Sequence, residues 1–230
     1  MLDKLKSNFE TIQQRIADAA TRSGRAASEV TLVGVTKYVD LETTRRLFEA
    51  GCVNLGESRP QVVWEKSAEL ADLPIHWHMI GHLQRNKVKR TVECCELIHS
   101  VDSERLLDAI DAAGRAIDKV VRVLIEVNVS GEAAKHGLDG SQIKSVLEKV
   151  GLLKNVKVDG LMCMAGLGSS PDAARREFAD LKKLQQQHQA DTPDNVELQE
   201  LSMGMSGDFE MAIEEGATLV RVGSILFEGL

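Results

Sequence analysis

The chain has 230 residues, 43% of them apolar and 27% charged, which fits a folded protein of one large α/β domain or two small ones. A formal net charge of -7 argues against a nucleic-acid partner, and the charged start MLDKLKSNFE leaves no apolar core for a secretory signal. With no apolar run near the ~20 residues of a membrane span, the expectation is a cytoplasmic protein without a membrane partner.

In chain order, the first periodic segment is a helix from Leu2 to Arg22, with Leu5, Phe9, Ile12 and Ile16 on one stripe. The apolar run Thr31–Val35 then reads as a strand leading to Lys37. Asp40 is placed to start a helix over Leu41–Ala50, and Gly51 to end it. Strand-like runs recur at Cys52–Leu55, His76–Ile80, Leu97–Ser100, Val121–Val129, Val156–Met164, Glu197–Ser202 and Leu219–Val222. Helical periodicity lies between them, over Gln61–Ala71, Gln84–Glu93, Ser103–Ile117, Ser141–Val150, Pro171–Gln189 and Asp208–Glu215. Ser103, Ser141 and Ser170-Pro171 carry start signals, while Gly151 and Gly216 fit helix exits.

Eight strands alternating with seven helices make one domain over residues 1–230, a (β/α)8 barrel preceded by an extra helix. A doubly wound open sheet shares the alternation, but its ligands gather in one crevice. Here polar residues mark nearly every strand end, among them Lys37, Glu57, His78, Asp102, Asn128, Ser202 and Arg221. That distribution is the one a barrel mouth requires.

The chemistry concentrates in ELSMGMSGDFEMAIEEGATLVRVGSILFEG, where two small-residue turns follow two successive strands. Backbone N–H groups, the Ser206 hydroxyl and the openings of two helices would form a cup for a phosphate. A closed barrel would bring Lys37 beside that cup. A lysine next to a bound phosphate points to a phosphorylated aldehyde cofactor held as an imine. Arg221 would face the cofactor's ring nitrogen, keeping it unprotonated and weakening its power as an electron sink. His76, His78 and His82 suggest a metal, but no carboxylate or thiol stands at a motif-like spacing, so none is expected. The segment Gly166–Ser170 lacks a phosphate-loop frame and reads as a loop. Met162, Met164, Met203 and Met205 read first as core, with stacking on a flat ring as the alternative. The four cysteines have no CxxC spacing, so neither a disulfide framework nor a zinc ribbon is expected.

Ordered motifs run along nearly the whole chain: VGVTK around Lys37, LGES from Leu55, WHMIGHLQRNK from Trp77, VNVSGEAAKHG from Val127, GLMCMAG from Gly160, LSMGMSGDFEMAI from Leu201 and RVGSILF from Arg221. Together they resemble the pyridoxal phosphate homeostasis proteins, whose barrel is similar to the N-terminal barrel of alanine racemase. The resemblance implies pyridoxal 5'-phosphate bound as an imine on Lys37, with Ser206 and the N–H groups of Gly223 and Ser224 on the phosphate and Arg221 toward the ring. It also implies places near the cofactor for Asn54 and Met203, and a loop over it carrying Lys135. The chain departs from the family at TKYVD, where a second lysine and a proline are usual, and at GESRPQV, where Ser58 replaces an asparagine and Pro60 intrudes.

The expected role is to buffer, store or deliver the aldehyde, with effects on amino- and keto-acid balance, without catalysis and as a monomer. Pyridoxal phosphate-dependent apo-enzymes are the candidate partners. A racemase is the first alternative, although Tyr38 is the only tyrosine available as a second base. A lysine-dependent aldolase is the other.

Overall fold

The computed structural model describes residues 1–132, 136–166, 168, 170–190 and 192–230. Among them, eight parallel strands close into a barrel in chain order: β1 Thr31–Val35, β2 Asn54–Glu57, β3 His76–Met79, β4 Leu97–Val101, β5 Val121–Glu126, β6 Val156–Met162, β7 Val196–Ser202 and β8 Leu219–Val222. Closure is carried by β8 pairing with β1, Thr31 opposite Leu219 through Gly34 opposite Val222. The barrel expectation therefore holds over the open sheet.

The helices are α1 Leu2–Arg22, α2 Leu41–Glu49, α3 Pro60–Glu69, α4 Val88–Cys94, α5 Glu104–Ala116, α6 Ile143–Val150, α7 Pro171–His188 and α8 Phe209–Glu214. Most of the core lies between strands and helices, and a smaller cluster of Val33, Leu97, Leu124, Met162 and Leu219 fills the barrel interior. Each such side chain contributes roughly 1.5–3 kcal/mol on burial. The α1 helix buries Leu5, Ile12 and Ile16 and clamps α8 through a two-pronged Arg15–Glu210 pair. Its Asn8 donates to the carbonyls of Leu226 and Glu228, both at 3.0 Å. The extra helix thus fastens the chain segment that follows β8.

Capping follows the sequence at Asp40, which accepts from Thr43 N, and at Ser170, which accepts from Ala173 N. Ser141 is not a cap. Asp139 takes that role by accepting from Ser141 N, and a 3-10 turn precedes α6. A 3-10 turn, Arg85–Lys87, likewise replaces the first part of the helix expected from Gln84. Gly51 and Gly216 have the left-handed φ of helix exits, +107° and +102°. Gly151 instead stays right-handed and is small because a Cβ would lie 2.9 Å from Pro193.

Strand ends deviate from the sequence where polarity misled it. The β2 strand runs to the buried Glu57 rather than stopping at Leu55, which shifts Asn54 to its start. The β5 and β6 strands end sooner than their apolar runs, leaving Val127 in a single bridge to Leu138. Val127 and Cys163 there remain apolar because they are buried in the core, while Met164 lines the mouth.

Candidate functional site at the barrel mouth

The C-terminal ends of the strands surround a cavity of about 640 Å³. Its walls include Lys37, Ser206, Arg221, Gly223 and Ser224. The β1–β8 register explains the grouping: Gly34 lies opposite Val222, so the chain beyond Val35 rises alongside Gly223. Lys37 is half-buried there, its Nζ 4.9 Å from the ring centroid of Tyr38, which is 88% exposed at the rim.

The cup between β7 and β8 is built by backbone. Gly204 adopts φ +88°, where a Cβ would lie 2.6 Å from that of Ala212, so the chain can turn only with glycine. Asp208 Oδ1 accepts from Met205 N at 2.6 Å and closes the turn. Ser206 Oγ then accepts from Gly223 N at 3.1 Å, tying the two turns together. The space beside Gly207 is open to 4 Å around its Cβ position. A hydroxyl, turn N–H groups and a bare glycine suit a tetrahedral anion. The sequence reading credited helix openings, but α8 has six residues and the 3-10 turn Ser224–Phe227 four, so N–H groups and the hydroxyl carry the site instead.

Arg221 is 4% exposed, and burial lowers its guanidinium below its ordinary pKa. It donates to Ser202 Oγ and to the Cys163 carbonyl, 2.9 Å away, rather than to an acid. From Ser202 a chain of hydrogen bonds crosses the barrel: to His99 Nδ1 at 2.8 Å, from His99 Nε2 to His78 Nδ1 at 2.9 Å, and from His78 Nε2 to Asn54 Oδ1 at 3.2 Å. One proton order satisfies every link. Arginine donates to serine, serine to His99, His99 to His78, and His78 to Asn54. That order needs both imidazoles neutral. Burial enforces it, pushing His78 down to about 4 and His99 well below its usual value. The guanidinium is thereby fixed by neutral partners and keeps its charge for the cavity.

A second buried unit holds Lys37 in place. Lys66 Nζ donates to Thr36 O at 2.8 Å and to Glu57 Oε1 at 2.7 Å, while Thr36 Oγ1 donates to the same oxygen at 2.7 Å. The strand ends of β1 and β2 are locked from α3. Lys66 was legible as an anomaly, a lysine on the buried stripe of Pro60 and Val63.

Two expected contacts require correction. Asn54 begins β2 and does not line the cavity; it reaches Arg221 only through the histidine chain. Met203 is fully buried, because Gly204 reverses the backbone and presents Met205 to the cavity instead. Met162 likewise packs in the core while Met164 lines the mouth. Pro60 does not intrude, since it occupies the first turn of α3, where no N–H is needed. Lys135, Leu167 and Ser169 lie outside the described residues.

Sequence reasoning missed Ser58, His82, Glu126 and His136 in the cavity wall. Burial, aided by the Asp102 charge, raises the Glu126 carboxyl to about 7. No spacing rule joins residues from separate strand ends, so only the closed barrel reveals them.

These features define an α/β barrel with a lysine and an anion cup facing one cavity at its mouth. Its family is settled by comparison. The chain belongs to the alanine racemase N-terminal domain family, which it matches over residues 1–230. It is 42% identical over 216 residues to a pyridoxal phosphate homeostasis protein of Aquifex aeolicus, with 94% of each chain covered. A protein of the same name from Pseudomonas aeruginosa is 36% identical, covering 98% of this chain and 96% of that one. The structure of PipY from Synechococcus elongatus PCC7942 with PLP bound superposes with a TM-score of 0.79 at 34% identity, covering 92% and 99% of the two chains. Alanine racemase of Streptomyces lavendulae shares the fold alone, at 18% identity and a TM-score of 0.69 over 57% of its length. Among the described residues no helix is long and apolar enough to cross a membrane.

Proposed function

We propose that this chain holds pyridoxal 5'-phosphate at the barrel mouth and serves its homeostasis as a reversible carrier, without catalytic turnover. The observation that carries the reading is one cavity lined by Lys37, Ser206, Gly223 and Arg221, in a chain related to proteins named for that role and to PipY with PLP bound. When bound, the cofactor supplies a reactive aldehyde and a conjugated ring. Lys37 would supply the amine that holds the aldehyde reversibly. Ser206 and the Ser224 N–H would hold the phosphate, joined by the Gly223 N–H once it leaves Ser206 Oγ. Arg221 would keep a fixed positive charge beside the ring and hold its nitrogen unprotonated.

Two features favour carrying over racemisation. A guanidinium facing the ring nitrogen would keep it unprotonated and weaken the stabilisation of a carbanion. Two-base exchange needs bases on opposite faces of a flat ring, whereas Tyr38 neighbours Lys37 and its ring contacts Nζ from one side. Monomeric action and hand-over to apo-enzymes complete the proposal.

Absorbance and transfer test it together. The purified protein is expected to carry a visible band that vanishes in Lys37→Ala. An apo-enzyme should recover activity from the loaded protein. A colourless wild-type protein that takes up no added cofactor would overturn the binding; turnover of an amino-acid panel at enzymatic rates would overturn the carrier role.

A further inference from the structure

Three side chains from different strand ends converge on the rim of the cavity. His82 follows β3, Asp102 follows β4, and His136 lies in the segment between β5 and α6. His82 Nδ1 is 3.0 Å from Asp102 Oδ2, and His136 Nδ1 is 3.8 Å from the same oxygen. The ligand-capable atoms of all three lie within 4.8 Å of one another. The two imidazoles stack with centroids 4.4 Å apart and planes at 17°, and each Nδ1 faces the same carboxylate oxygen.

We propose that His82, Asp102 and His136 form a binding site for one divalent transition-metal ion of borderline softness, with Zn²⁺ as the best fit. Two nitrogens and one carboxylate oxygen are the donor set such ions prefer, and bonds of about 2.0–2.2 Å in a tetrahedron separate ligand atoms by roughly 3.3–3.6 Å. The observed separations of 3.0 and 3.8 Å to the shared oxygen bracket that edge, and the exposed imidazoles would turn out of their stacked arrangement to aim both lone pairs at one ion. His82 and His136 both address the same Asp102 oxygen, His82 through a hydrogen bond that the ion would replace. Stacked imidazolium rings would repel each other, whereas neutral rings can both coordinate. Asp102 is anchored with its side chain 13% exposed, while His82 and His136 are 43% and 59% exposed, leaving an accessible side for a water or an anionic fourth ligand. Both histidines line the mouth cavity, so the ion adjoins the space assigned above to the cofactor, although the site stands whether or not that assignment is correct.

The test is calorimetric titration of ZnCl2 into the chelator-treated full-length protein, alongside His82→Ala, His136→Ala and Asp102→Asn, with circular dichroism to verify folding. One ion per wild-type chain is expected. Each substitution should weaken binding by at least the ~10–100-fold that loss of an outer-shell partner alone costs. His136→Ala is the decisive variant should the others fold poorly, because its side chain is the most exposed. Absence of binding to wild type, or stoichiometric binding equally strong in His136→Ala, would overturn the proposal. The second outcome would place the ion elsewhere, such as on Cys94 and Cys95, whose sulfurs are 4.0 Å apart.

Discussion

The two sides of the mouth are built on different principles. On the β7–β8–β1 side, the proposed anion cup is made of turn backbone, one hydroxyl and an arginine held by Ser202 and the Cys163 carbonyl. On the β3–β4–β5 side, the walls are side chains: His82 and His136 on loops, and Glu126 at the end of β5. A backbone cup recognises a shape and charge that many sequences can build, provided glycine sits at the turn. A side-chain wall recognises through residue identity and can vary without disturbing the barrel. The first side is thus suited to a constant ligand, and the second to whatever distinguishes this chain.

The largest test of that contrast is Lys37→Ala, which should abolish the visible band and borohydride-trapped adduct completely while leaving the barrel folded, as read by absorbance and circular dichroism. Next comes the support under that lysine. Lys66→Met removes one partner of a buried pair, and should destabilise the fold by about 3–5 kcal/mol in urea unfolding, far more than loss of either exposed mouth histidine. A cost below about 1 kcal/mol, the range of surface pairs, would contradict the lock between β1 and β2.

The buried histidine chain makes a third, pH-dependent prediction. In the unfolded chain an imidazole takes up its proton near 6.5, whereas folded His78 does so only at about 4. Between those values the unfolded state binds more protons, so stability is full above about pH 6.5 and falls as pH drops toward 4. His78 alone accounts for roughly 3 kcal/mol across that window, and His99 acts in the same direction. Glu126, raised to about 7, works against this trend, so the test is His78→Gln: from about pH 7.5 to about pH 5.5 its urea midpoint should fall less, or rise more, than that of the wild type, and equal changes would mean the chain carries a proton after all. The smallest effect belongs to Ser206→Ala. It removes the acceptor for Gly223 N and one phosphate donor, and should weaken cofactor retention by roughly tenfold, the worth of about 1.4 kcal/mol. Equal weakening from Met205→Ala would indicate that apolar contact, not the cup, holds the ligand.

Much of the site was legible where its parts are close in sequence or share one periodicity. Met203 to Ser224 spans both turns of the cup, and Lys37 ends an uninterrupted apolar strand. The failures have a common cause. The resemblance implies places near the cofactor for Asn54 and Met203, yet a strand start and a glycine reversal keep their side chains out of the cavity wall. The pairing of Lys66 with Glu57 escapes the sequence because no spacing rule joins a helix lysine to a strand-end acid; only burial against each other does.

The sequence by itself determined the alternation of strands and helices, the extra N-terminal helix and the glycine turns after β7 and β8, because hydrophobic periodicity and glycine conformation are local properties. Tertiary structure alone decided which strand ends meet. Closure of β8 on β1 set the lysine beside the cup, threaded His78 and His99 between Asn54 and Arg221, and gathered His82, Asp102 and His136. Such groupings depend on the register of strands far apart in the chain, and that register is fixed only when the whole sheet closes.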